Sequence, residues 1–98
     1  MKPSDASRPF EGAVSGTPLD YSEDLYRFYL EIADADGAER VLRGFLGSRH
    51  AQRLQRFVHG FEFVVPIQCI PDLMRLLTQE NIAVYQLVRQ EKGEGTWR

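Results

Sequence analysis

Beyond residue 24 the hydrophobic and polar positions run through six segments: alternating, helical, alternating, alternating, helical, alternating. Leu25–Ile32, Phe61–Ile67 and Ile82–Val88 alternate with the two-residue period of a strand; Gln52–Val58 does so more weakly, since Leu54, Phe57 and Val58 within Arg49–Val58 also fit a helical face. In the first of these, Tyr26, Phe28, Leu30 and Ile32 point one way, against Leu25, Arg27, Tyr29 and Glu31. Gly37–Leu46 places Ala38, Val41, Leu42 and Phe45 on one helix face, and Pro71–Gln79 does the same with Leu73, Met74 and Leu77 behind Ile70. Asp36 followed by Glu39 predicts a capping box, and Gly47 a stop. Pro71 and Asp72 suit a first helical turn, and Glu80-Asn81 ends that helix.

The order βαββαβ predicts an α+β, ferredoxin-like two-layer sandwich with both helices on one face of an antiparallel sheet. The 98 residues allow one domain, which spans residues 23–92. Residues 1–22, with Pro3, Pro9, Pro18, Gly12 and Gly16, read as a disordered or loosely docked tail, and residues 93–98 as a flexible end. His59-Gly60 marks a tight turn between an edge strand and the third strand, and Pro66 marks that strand's end. The last strand is apolar on both faces, through Ile82, Val84 and Val88 and through Ala83, Tyr85 and Leu87. A single helix layer covers only one of them, which leaves the other for a partner.

Composition narrows the classes. Hydrophobic residues make up 43% and charged residues 27%, which is ordinary for a globular protein, and no apolar run is long enough for a membrane span. One cysteine, Cys69, excludes an intrachain disulfide and fits a reducing cytoplasm. His50 and His59 lack a second ligand pair, so no metal is expected, and neither phosphate-loop motif occurs, so no cofactor is expected. Cys69 could gain reactivity from the helix start that follows it, and His50, His59 or Tyr29 could serve a pocket between subunits.

Two features raise nucleic-acid binding. His59-Gly60-Phe61-Glu62-Phe63-Val64-Val65-Pro66 resembles the octapeptide of RNA-recognition-motif proteins at four positions, Gly60, Phe61, Phe63 and Val64. In that family both aromatic rings face away from the helices to stack on bases. Here that phase would bury Glu62, whereas the opposite phase puts Phe61, Phe63 and Val65 inside at no such cost. The second feature is charge: residues 40–60 hold Arg40, Arg43, Arg49, Arg53 and Arg56 with no acid, between flanks of net −6 and −1. Such a cluster suits phosphates, an acidic protein surface, or simple solvation.

Residues 71–87, from Pro71-Asp72-Leu73-Met74 through Asn81-Ile82-Ala83-Val84-Tyr85-Gln86-Leu87, resemble the last helix and strand of the accessory domain on ATP-binding subunits of drug-exporter-type ABC transporters. That segment reads as a leucine-rich helix, then Gly/Asn-Ile-x-Val-Tyr-x-Ile, in a comparable βαββαβ unit. The resemblance implies a non-catalytic regulatory or assembly module and carries no functional residue across.

The expectation is therefore a cytoplasmic, non-catalytic interaction or regulatory module that self-associates as a homodimer. Its interface is the open sheet face, through Arg27, Tyr29, Glu31, Glu62, Val64, Tyr85 and Leu87. One alternative is single-stranded RNA or DNA binding through Arg40–Arg56. The other is a ligand sensor or cofactor-independent enzyme with a pocket between subunits.

Overall fold

A computed structural model describes residues 14–98 of the chain, so the tail expectation for residues 1–13 lies outside the described residues. The elements are β1 (Tyr26–Ile32), α1 (Ala35–Ala51), β2 (Gln55–Arg56), β3 (Gly60–Val65), α2 (Cys69–Gln79) and β4 (Val84–Lys92). All pairings are antiparallel and the strand order is β2-β3-β1-β4, so the fold is the α+β, ferredoxin-like sandwich that the periods predict.

The phase of the central strands follows from burying rings and exposing charge. Phe63 stands opposite Phe28 and Phe61 opposite Leu30, and all four side chains are buried with α1 and α2. The Phe28 and Phe63 rings stack at 6.0 Å. Glu62 stands opposite Tyr29 on the open face, half-exposed. Both phenylalanine rings are fully enclosed, so neither is available as a base-stacking platform.

Helix α1 starts two residues before the predicted span, and its cap is not the predicted one. Asp34 is the N-cap, accepting a 3.0 Å bond from the Gly37 amide in an extended conformation straight after β1. A Cβ at position 37 would collide with that carboxylate, so the cap and the glycine fit each other. The Asp36–Glu39 box does not form because both carboxylates turn to Arg56, at 3.1 and 3.0 Å. Gly47, with φ of 76°, interrupts the helix where the stop was expected, but one further turn follows to Ala51. That turn ends just short of Gln52–Val58, the weakly alternating stretch, of which only Gln55 and Arg56 form strand β2. The β2–β3 turn closes through Phe57 N–H on the Gly60 carbonyl at 2.7 Å.

Helix α2 begins at Cys69, two residues before the predicted start, and buries Leu73 and Leu77. It ends on Asn81 in the left-handed region, φ 59°, with Ile82 N–H returning to the Leu77 carbonyl at 3.0 Å. Strand β4 differs most from the prediction: it starts at Val84 rather than Ile82 and runs on to Lys92 rather than Val88. One bulge pairs Glu31 with Gln86 but Ile32 with Val84, which leaves Tyr85 as the extra residue, and a second shift lies between the Phe28–Arg89 and Tyr26–Lys92 pairs. The phase therefore flips within the strand. Val88 falls on the open face opposite Tyr29, and Leu87 falls on the helix side opposite Leu30, contrary to its assignment to the open face.

Residues 14–22 dock through a polar knot around buried Asp20. Its carboxylate accepts from Gly16 N–H at 2.7 Å and from the Ser22 amide and hydroxyl, while Gln68 donates to the Pro18 and Asp20 carbonyls. The Gly16 bond and then the Ser22 hydroxyl, outweighing burial, lower the Asp20 pKa from 3.8 to about 2. A carboxyl depressed in the folded state stabilises it above its ordinary pKa, and the gain disappears as pH falls through 3.8 toward about 2. The wild type should thus lose up to about 2 kcal/mol across that window that Asp20→Asn does not lose. Urea unfolding at stepped pH reads the difference, and parallel curves for the two proteins would refute it.

Candidate functional site

The open face is a small field of charge arranged in rows by the pairing register. Arg27 on β1 bonds Glu91 of β4 at 2.9 Å and lies 3.9 Å from Glu62 of β3. Two residues on, the Tyr29 hydroxyl donates to Glu31 at 3.2 Å. Burial first, then that bond and the charges of Glu31 and Glu62, push the Tyr29 phenol above its ordinary pKa. The rows of this face thus bring the carboxylates of Glu31, Glu62 and Glu91 around the guanidinium of Arg27. Val64, placed on this face by the sequence, is only 3% exposed. The chain beyond β4 crosses over it, bringing Gly93 so close that a Cβ there would lie 2.7 Å from Val64 Cγ1.

A polar cleft of about 590 Å³ opens beside Val64, lined by Arg27, Arg53, Gln55, Glu91, Lys92 and Glu94. Its cations are engaged: Arg27 with Glu91, Lys92 with Asp24 at 3.1 Å, and Arg53 with the Glu94 carbonyl at 2.7 Å. Residues 93–98, expected to be flexible, lie against α1 in the structure. The Trp97 ring stacks on His50 at 4.2 Å and approaches Phe45 at 6.4 Å, its carbonyl bonds His50 Nε2, and Arg98 pairs with Glu23. Trp97 therefore packs within its own chain.

The five arginines of residues 40–56 differ in their partners. Arg43 bonds Glu39 at 2.9 Å, Arg56 bonds Asp36 and Glu39 over the Phe61 ring, and Arg53 turns to the C-terminal chain. Arg40 and Arg49 are exposed on α1. The absence of acids between residues 40 and 60 is local in sequence, and the fold brings acids from before residue 40 onto the cluster.

Burial, then the charge of Asp72, pushes the half-buried Cys69 thiol upward, away from the thiolate that helix-start activation would need. Among the described residues no group of three His, Cys, Asp or Glu side chains could hold a metal ion. No helix of the described residues is long and apolar enough to cross a membrane.

The second exposed feature is the β4 edge, which the sequence reading did not single out. Among the described residues, strand β4 pairs with β1 on one side only, and its nine residues contain no proline. Val84 is 38% and Tyr85 71% exposed. Beside the edge, on the helix side, Phe28, Ile67, Ile70 and Leu87 line an apolar depression of about 220 Å³. The signal in the sequence was the apolar character of both sides of residues 82–88. Compared with family models, curated proteins and solved structures, the chain gives no match, so the likeness of residues 71–87 to transporter accessory domains rests on those residues alone.

Proposed function

We propose that this chain is a non-catalytic interaction module that self-associates, and that it does so through the free edge of β4. The observation that carries the reading is the strand itself: nine residues, paired on one side among the described residues, unprotected by proline and opening with exposed Val84 and Tyr85. Unpaired strand edges offer a row of backbone donors and acceptors to another strand. The other edge, β2, has two residues and is too short for that role. Self-stacking of the open faces would bury the charged groups of Arg27, Glu31, Glu62 and Glu91, which already satisfy one another or water, at a cost in desolvation. The single cysteine accords with a reducing, cytoplasmic setting.

Sedimentation equilibrium of the full chain at roughly tens of micromolar, a range that captures ordinary homodimers, tests the reading. Twice the chain mass is expected. A monomer throughout that range would overturn it.

A further inference from the structure

We infer that the strand seated on the β4 edge is β4 of a second copy, antiparallel, with Leu87 opposite its own symmetry mate. This rests on the reading that the edge is where the chain associates, and it adds the partner's register. A two-fold axis perpendicular to the sheet makes an edge strand its own antiparallel neighbour and keeps both helix layers on one side. Directly opposed residues then share a face, so the axis must pass through a residue rather than between two.

Centred on Leu87, the pairing sets Leu87 against Leu87, Gln86 against Val88, and Tyr85 against Arg89. Leu87 already packs at the border of the core beside the open depression of Phe28, Ile67 and Ile70. A second leucine there extends buried apolar surface instead of ending it at water. Tyr85 and Arg89 are both exposed, and Arg89 already lies over one aromatic ring, 5.8 Å from the centre of Tyr26. An opposing Tyr85 offers it a second ring.

Centred one residue on, at Val88, the pairing would set Leu87 against Arg89 and Tyr85 against Glu91. It would also run the new ladder through the register shift between Arg89 and Lys92, beside the side chains that Arg27 and Asp24 hold at 2.9 and 3.1 Å. Centring on Leu87 keeps the ladder to Tyr85–Arg89, short of that shift and of both ion pairs.

The two registers give opposite signs at an exposed position whose replacement leaves the core untouched. Dimer dissociation constants of the full-length wild type, Tyr85→Lys and Tyr85→Glu, measured by sedimentation with circular dichroism as the folding control, separate them. Next to Arg89 of the other copy, lysine should weaken the dimer relative to glutamate by about tenfold, since each dimer holds the contact twice. Weakening by glutamate and strengthening by lysine would put Tyr85 beside Glu91 and overturn the Leu87-centred register, while the parent reading stands. Equal constants for all three proteins would remove the edge as the interface. A monomeric wild type would overturn the parent reading and this one with it.

Discussion

Phe63→Ala is expected to lower the unfolding free energy by about 3–5 kcal/mol, the usual cost of emptying an aromatic site in a core. The ring is fully buried, stacks on Phe28 across the β1–β3 ladder, and lies beneath the helix layer. A domain of this length has a total stability of roughly 5–15 kcal/mol, so the variant should be marginal at room temperature. Urea unfolding followed by circular dichroism measures it. A variant with the wild-type midpoint would mean that the ring is not in the core, and the phase assigned to β3 would have to be reversed.

Gly60→Ala should be nearly as damaging for a different reason, with a loss of about 3 kcal/mol. A Cβ at residue 60 would collide with the Leu30 carbonyl oxygen and lie 3.1 Å from Tyr29 Cε1. The carbonyl belongs to the backbone of the neighbouring strand and cannot swing aside as a side chain would. Gly44 provides the contrast: it sits in α1 with nothing within 4 Å of an added Cβ. Gly44→Ala should stabilise the protein by up to about 1 kcal/mol through helix propensity alone. Thermal unfolding of the two variants side by side checks the pair. Equal shifts would show that close approach at residue 60 is not what requires glycine.

The phase of β3 was legible because one residue decides it. Placing Glu62 inside would have stranded a carboxylate among apolar side chains, and no neighbour in sequence offered compensation. The phase of β4 was not legible, because a single extra residue at the bulge exchanges the two faces and nothing at Tyr85 announces it. The same holds for the first helix cap. Asp34-Ala35-Asp36 offers two capping residues, and the local template favours Asp36 with Glu39. Arg56, twenty residues from Asp36 in the chain, claims both of those carboxylates. The ion pairs of Arg43 and Arg56 were hidden for a related reason, since Asp36 and Glu39 lie just outside the window in which the arginines stand out. The docking of Trp97 on His50 spans 47 residues and has no local signature at all.

The fit between Asp34 and Gly37 ties the fates of two positions together. While the aspartate caps the helix, alanine at 37 would evict it; once the aspartate is gone, the same alanine favours the helix. One substitution is thus harmful or helpful according to whether the other has already occurred. Such sign epistasis makes any evolutionary path away from this pair pass through position 34 first.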